Sequence, residues 1–409
     1  MKFNIVTFGC KVNQYESNMM KEDMLHHNFL YEENISNANI IIVNTCTVTN
    51  VADNKCLKAI RRIKREYPNA ILVVTGCSSQ NKQELYKSLD ADILIGNNEK
   101  SKIADLVEEY LKTNQKYVMF YNDRNIDFED MIITTFNHVR AFVKIEDGCD
   151  NFCSFCIIPY VRGSVRSKDF NKVIEEVKSL VKNNHQEIVL TGIHTGRYES
   201  NGKSLADLIK ELAKIDGLMR IRISSIEITE LNEDFMNILK TEAKVCNHLH
   251  IPLQSGSDIV LKKMNRKYDL KYFEEKIKEI RSIRPDISIS TDIIVGHPYE
   301  TNEEFASSLE FAKKMEFSKI HVFPYSVRVG TPAALMPQVD DKVKKDRARR
   351  LIELSTYLED KYYQKFVGKT LDILIEECDN EKASGHTSNY LNVKLEGKFE
   401  KGKIYNQVL

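Results

Sequence analysis

Short apolar runs alternate with amphipathic helical patterns along most of this chain, and that alternation restricts the fold more than any other feature. In the first 125 residues, strand candidates at 3–8, 39–43, 70–75 and 92–95 are separated by helical segments at 15–28, 51–66, 80–88 and 99–112, with Pro68 stopping the second helix. Residues 137–335 repeat the pattern six times. Strands fall near 139–145, 187–191, 219–224, 247–251, 287–295 and 318–323, with helices near 169–183, 203–215, 232–240, 269–283 and 301–315. Strands joined through helices run parallel and are covered on both faces. The expected fold class is therefore α/β: an N-terminal doubly wound parallel sheet followed by a central open (βα)6 barrel, since six units are too few to close the eight-stranded form. Asp269 and Thr301 read as helix N-caps, and Thr301 with Glu304 as a capping box.

The cysteines fall at telling places in that pattern. Cys149, Cys153 and Cys156 form a tight loop, C-x3-C-x2-C, directly after the first barrel strand, and βα barrels hold their chemistry at that mouth. No fourth Cys or His lies within 25 residues of the loop except His138, which precedes the strand and sits at its opposite end. Structural zinc and electron-transfer [4Fe–4S] clusters both ask for four protein ligands. Three thiolates leave one iron of a cubane open for a small molecule; a zinc completed from afar, or three merely buried thiols, is the alternative. Cys10, Cys46 and Cys77 follow the first, second and third N-terminal strands, 36 and 31 residues apart. In an open α/β sheet these positions share the carboxyl edge where ligands bind, so topology alone gathers a second set of three thiols. Separate turn residues are the bland alternative. Cys56, inside a helix, and the isolated Cys246 and Cys378 read as packing residues.

Lys plus Arg equal Asp plus Glu at 59 each, so any nucleic-acid surface must be a local patch. Nine cysteines, an odd number, argue against a secreted disulfide scaffold and for thiol or metal chemistry in a reducing compartment. The start "MKFNIVTFGC" has no signal-peptide pattern, and no apolar run approaches about 18 residues. A cytoplasmic monomer without membrane contact is expected.

The stretches "GCKVNQYES", "VNTCTVT", "TGC", "CDNFCSFCIIPYVRGSVRS", "HIPLQSGSDIVLKKMNRKY" and "TDIIVGHPYET" together resemble the radical S-adenosylmethionine (SAM) methylthiotransferases, in order and spacing over essentially the whole chain. "GCKVNQYES" is similar to the branch that acts on threonylcarbamoyladenosine in tRNA; the isopentenyladenosine branch reads closer to GC-Q-M-N there. The resemblance implies two [4Fe–4S] clusters. Cys149, Cys153 and Cys156 would hold the one that cleaves SAM to a 5′-deoxyadenosyl radical, and Cys10, Cys46 and Cys77 an auxiliary cluster that carries the transferred sulfur. It implies methylthiolation of C2 of adenosine 37, with a tRNA anticodon stem-loop, a flavodoxin- or ferredoxin-like electron donor and a sulfur source as partners. The same chemistry on isopentenyladenosine tRNA or a ribosomal-protein aspartate, and a non-catalytic RNA-binding iron–sulfur sensor, are the alternatives.

Candidate SAM contacts are Gly192 and Gly196 in "TGIHTGRYE", after the second barrel strand, where the resemblance places SAM's amino end, together with Ser224, Ser225 and Glu227 in "SSIE" and Gln254, Ser255 and Ser257 in "PLQSGS", which end the third and fourth strands at the same mouth. Arg162 and Arg166 are candidates for a SAM carboxylate, RNA phosphates or a structural ion pair. His194, His248 and His250 read as hydrogen-bonding residues. The segment 340–366 reads as a helix whose basic run Lys342–Arg350 is either an RNA contact or a solvated face. From Gly368 the short strands resemble the TRAM module, a small C-terminal β-barrel with RNA-binding ability; family members usually continue further, so a shortened module is expected. The resulting division is 1–125, an N-terminal methylthiotransferase domain; 135–340, a radical SAM domain; 341–367, a linking helix; and 368–409, the TRAM-like module. "GHPYET" departs from the family's G-F-P-G-E-T by placing Tyr299 where relatives carry glycine.

Overall fold

A computed structural model describes residues 1–409. Near the N-terminus, six parallel strands lie in the order Leu30–Tyr31, Lys2–Thr7, Ile40–Thr45, Ile71–Gly76, Ile93–Ile95 and Tyr117–Met119. The chain winds outward once and then returns past its first strand, so the direction of winding reverses between Lys2–Thr7 and Ile40–Thr45. Such a reversal opens a crevice at the carboxyl ends of the two strands. Ile40, Ile42, Val73, Ile93 and Ile95 pack on one face, and Ile41, Val43, Leu72, Val74 and Leu94 on the other, so both faces are apolar as a parallel sheet requires.

Six more parallel strands follow in chain order. Arg140–Lys144, Glu187–Thr191 and Arg220–Ile223 form one group; His248–His250, Ser288–Val295 and Lys319–Pro324 form the other. Parallel bridges Ile221–Val245 and Ser225–His250 join the groups. The outer edges of the first and last strands do not meet, which leaves the open barrel that six units predict. Ala141, Val143, Ile188, Leu190, Ile221 and Ile223 pack beneath the surrounding helices. The opposite face carries Lys144, Glu187, Arg222, His248, His250 and Asp292, a polar lining for the concave side. Asp269 caps the helix Leu270–Ile283, and Thr301 with Glu304 forms the expected box before Asn302–Met315.

The N-terminal sheet lies across the barrel's open side. Its first helix, Lys11–His26, packs on Arg140–Lys144. Beyond the last strand, Arg328 binds Asp53 at 2.8 Å and Asn50 at 2.9 Å. That first helix begins at Lys11 and not near residue 15. It buries Asn13, Glu16, Ser17 and Asn18 as well as Met19 and Met20, because it is covered on two sides, so the usual apolar stripe is missing. The expected helix at 80–88 is two short ones, Cys77–Asn81 and Gln83–Lys87, broken at Lys82, whose ammonium reaches Asp53 at 2.9 Å.

The C-terminal region holds the helix Asp341–Gln364, laid against Lys319–Pro324, and four antiparallel strands. Their order is Asn392–Glu396, Lys382–Thr387, Thr370–Cys378 and Ile404–Val408. Here the structure corrects the expectation of a small barrel: the outer strands Asn392–Glu396 and Ile404–Val408 do not pair with each other, and the module is an open sheet. It is docked on the amino ends of the barrel strands. Arg220 bonds Asp372 at 2.8 Å, Arg222 bonds the Thr387 carbonyl at 3.2 Å, and Tyr390 stacks on His248 with ring centroids 4.6 Å apart.

Candidate active site

Each N-terminal cysteine sits where a strand gives way to a helix or loop. Cys10 is the N-cap residue of Lys11–His26, Cys46 follows Ile40–Thr45, and Cys77 opens Cys77–Asn81. Asn13 ties the first two turns together, donating to the carbonyls of Phe8 and Thr45 at 2.9 Å each. Gly76, with φ of 109°, precedes Cys77, and a Cβ there would stand 2.4 Å from the Thr45 carbonyl oxygen. Gly148, with φ of 84°, precedes Cys149 in the same way, and a Cβ would meet the Ser164 carbonyl at 2.0 Å. Only glycine fits such turns, so the glycine sets the direction in which each thiol leaves the strand.

The second loop is held from both sides. Ser154 N donates to the Met264 carbonyl and Ala333 N to the Ser154 carbonyl, while Arg266 donates to the Cys153 Sγ at 3.2 Å and pairs with Glu227. His194 Nδ1 lies 3.9 Å from the Cys149 Sγ, and its Nε2 is 2.5 Å from Glu230. Burial disfavours the imidazolium, but the hydrogen bonds to Cys149 and Glu230 outweigh it and push the His194 pKa up to about 10.

All six of these cysteines line one cavity of about 350 Å³ between the sheet edge and the barrel mouth. Burial and the neighbouring thiols push Cys46 and Cys156 each up to about 12, and burial raises Cys77 and Cys153. Without an added positive centre these groups stay neutral thiols, and metal ions bound to them would reverse that. Positive charge is nevertheless concentrated beside them. Lys100, Lys144, Arg162 and Arg166 surround Glu16 and Asp147 in a buried network, with Lys100–Glu16 at 2.6 Å and Lys144–Asp147 at 2.6 Å, and Glu129 as a third carboxyl beside the two lysines. A buried excess of cations next to two thiol triplets suits thiolate-ligated iron–sulfur clusters, whose protein ligands are anionic. The donor set therefore fits three-thiolate sites in two places.

Of the other sequence candidates, Gly192, Ser225, Glu227 and Gln254 line this cavity. Gly196 does not: it lies in the turn Thr195–Arg197, where a Cβ would stand 2.2 Å from a Glu230 carboxylate oxygen, so its role is close packing. Ser257 caps the helix Asp258–Lys263, and Ser255 faces Ser308. Arg162 reaches the cavity edge, yet its donors are directed at Cys77, Glu16, Asp147 and Asn13, leaving none for a carboxylate ligand. Arg166 binds Asp147 at 3.0 Å. Cys56 is fully buried against Cys46, whose N–H points at its Sγ at 3.4 Å, and Cys246 and Cys378 lie away from the cavity. In the basic run, Arg347 is buried on Glu300 at 2.7 Å and Arg349 pairs with Asp346 and Glu353. Sequence reasoning missed Arg266, Asp292 and the Glu16–Asp147 network. Charged residues inside the strand-like run "VRAFVKIED" were the available signal, since buried charges must find partners.

Residues 143–312 match the Radical SAM superfamily, and residues 2–96 match a group described as "Uncharacterized protein family UPF0004". The chain is 39% identical over 403 residues to the threonylcarbamoyladenosine tRNA methylthiotransferase MtaB of Bacillus subtilis (strain 168), covering 96% of this chain and 89% of that one. It is 35% identical over 402 residues to the tRNA-2-methylthio-N(6)-dimethylallyladenosine synthase of Thermoanaerobacter sp. (strain X514), covering 94% and 84%. Among solved structures it shares a fold with the radical SAM methyltransferase TsrM from Kitasatospora setae, at a TM-score of 0.61 and 13% identity over 82% of this chain and 77% of that one. By sequence over nearly its full length, the chain belongs to the radical SAM methylthiotransferase family.

Proposed function

We propose that this protein methylthiolates C2 of N6-threonylcarbamoyladenosine at position 37 of tRNA. The observation that carries the reading is the single cavity shared by both cysteine triplets, because a methylthio group must reach the carbon from which hydrogen has been taken. Cys149, Cys153 and Cys156 would hold one [4Fe–4S] cluster, and Cys10, Cys46 and Cys77 the other. With SAM bound, these groups supply a carbon-centred radical and a sulfur for transfer.

The chain's own residues position and shield. Arg266 fixes Cys153 and pairs with Glu227, which holds that carboxylate at the cavity wall. Gly192 lines the cavity and packs closely on Glu146, since a Cβ there would stand 2.7 Å from a Glu146 carboxylate oxygen. Gln254 also lines the cavity, from a left-handed backbone with φ of 66°. Ile158 and Phe155 give the mouth an apolar rim. The threonylcarbamoyl branch is favoured over the dimethylallyl branch by the "GCKVNQYES" motif and by the MtaB relatives. A one-electron donor of the flavodoxin or ferredoxin class, a sulfur source and a cytoplasmic monomer complete the proposal; no helix is long and apolar enough to cross a membrane.

The test is reconstitution. Protein loaded with iron and sulfide, given SAM, a reductant and threonylcarbamoyl-modified tRNA, should yield 5′-deoxyadenosine together with the 2-methylthio nucleoside. Absence of 5′-deoxyadenosine from a preparation with both clusters loaded would leave only the sensor reading.

A further inference from the structure

Three side chains on the concave wall of the barrel form a donor set that the reaction above does not use. His250, Asp292 and His321 stand on three adjacent parallel strands, His248–His250, Ser288–Val295 and Lys319–Pro324. Asp292 and His321 are direct partners in the register, and His250 pairs with Ser290, which shares the face of Asp292 two residues on. One nitrogen of each imidazole and one carboxylate oxygen all lie within 4.8 Å of one another. The set is carried by strands and not by loops, so the ladder fixes its spacing.

The polar partners of these groups suit a cation. Asp292 pairs with no Lys or Arg; its one ionic contact is His250 Nε2 at 3.2 Å. His250 Nδ1 lies 2.9 Å from the Ser290 hydroxyl oxygen. Where Nδ1–H donates to that oxygen, the bare Nε2 faces a carboxylate, and two acceptors at that distance repel unless a positive centre joins them. Metal-bound histidines are held in this way, through the ring nitrogen that the metal does not use. A zinc–nitrogen bond of about 2.0 Å sets the ligand atoms of a tetrahedral site roughly 3.3 Å apart, a spacing that His250 and Asp292 already meet. His321 is exposed, its ring 5.6 Å from that of His250, and rotation about its side-chain bonds can close the remainder.

The geometry points to a site for one divalent transition cation, of the zinc or iron(II) class, held by His250, Asp292 and His321 and separate from both cysteine triplets. Two imidazoles and one carboxylate are a set these metals accept, and three protein ligands leave a coordination position open. Asp292 also lines the thiol cavity, so the cation would border that space. The inference does not depend on the substrate proposed above. Full-length protein with both clusters loaded, so that the six thiols are occupied, is treated with chelator and titrated with Zn2+ alone. Elemental analysis should find one equivalent of zinc beyond the cluster iron, and zinc K-edge X-ray absorption should show nitrogen and oxygen ligands without sulfur. His321→Ala and Asp292→Asn should each lose that zinc at unchanged iron content, and Ser290→Ala should weaken it by roughly 10- to 100-fold. Wild type that binds no zinc beyond its iron overturns the site, as does zinc that His321→Ala holds equally well or whose spectrum shows sulfur. Stoichiometric zinc in a protein that fails to methylthiolate tRNA upholds the site and counts only against the function proposed above.

Discussion

Arg162 donates its Nε–H to the Sγ of Cys77 at 3.2 Å although the two residues stand on opposite sides of the seam between the N-terminal sheet and the barrel. The same guanidinium binds Glu16 at 2.8 Å and Asp147 at 3.1 Å and is 1% exposed. One side chain thus joins the first helix, the segment between the first barrel strand and its cysteine loop, and an edge thiol, which makes it the pin that sets the two cysteine triplets against each other.

Removing that pin leaves buried carboxylates short of charge. Arg162→Met should lower the stability of the metal-free protein by about 3–5 kcal/mol, the usual cost of breaking a buried ion pair from one side. Urea unfolding gives the value, and limited proteolysis should show the seam opening first. An unchanged urea midpoint would contradict the role.

The two triplets should separate by phenotype. Alanine at Cys149, Cys153 or Cys156 should abolish SAM cleavage and remove about one cubane of iron. Alanine at Cys10, Cys46 or Cys77 should leave 5′-deoxyadenosine formation but stop sulfur insertion. Cys56→Ala should keep the iron content and both activities, since Cys56 only packs beneath Cys46. Iron analysis and product chromatography decide each case, and tRNA thiolation by a Cys46→Ala protein would sink the auxiliary assignment.

Tyr299 replaces the family's glycine at a backbone φ of 66°, where a side chain is strained, and its ring is half exposed beneath Lys263 Nζ at 4.9 Å. The strain relieved by Tyr299→Gly, about 1–2 kcal/mol, is nearly offset by the lost cation–π contact and the greater freedom of the unfolded chain, about 1–2 kcal/mol together, so the substitution should leave Tm almost unchanged where a residue in ordinary backbone would lose stability. A calorimetric scan that shows a lower Tm would count against this account.

Glu187 gives the seam with the C-terminal module an acid sensitivity. Burial alone would raise its pKa, but Arg222, Arg220 and Arg140 outweigh it and hold the carboxyl below its usual value. With the folded pKa depressed, its contribution is present above the unfolded value of about 4.3 and is lost as pH falls through the folded one. Unfolding free energies measured from pH 6 to 3 should fall steeply below about pH 4.5 in wild type and less steeply in Glu187→Gln. Parallel curves would exclude the effect.

Much of this was legible in the residues. The barrel strands and four of the six N-terminal strands fall within a residue or two of their apolar runs, because parallel strands buried on both faces leave continuous Val and Ile stretches. The cysteines followed once the strands were placed. Leu30–Tyr31 is only two residues long, and Tyr117–Met119 is an edge strand that lies largely exposed, unlike the equally short but buried Ile93–Ile95. Gly192 and Gly196 look alike in sequence, and only the fold puts one at the cavity and the other against Glu230. The ion network was invisible for a different reason: Arg162 and Glu16 are 146 positions apart, and no local pattern pairs charges across that distance.

The most direct measurement of the central claim is mass spectrometry of tRNA nucleosides from cells with and without this gene. Deletion should remove 2-methylthio-N6-threonylcarbamoyladenosine, let the unthiolated nucleoside accumulate, and be complemented by wild type but not by the Cys46→Ala or Cys153→Ala forms. An unchanged threonylcarbamoyl profile, with or without loss of the methylthio dimethylallyl nucleoside, would contradict the proposed substrate.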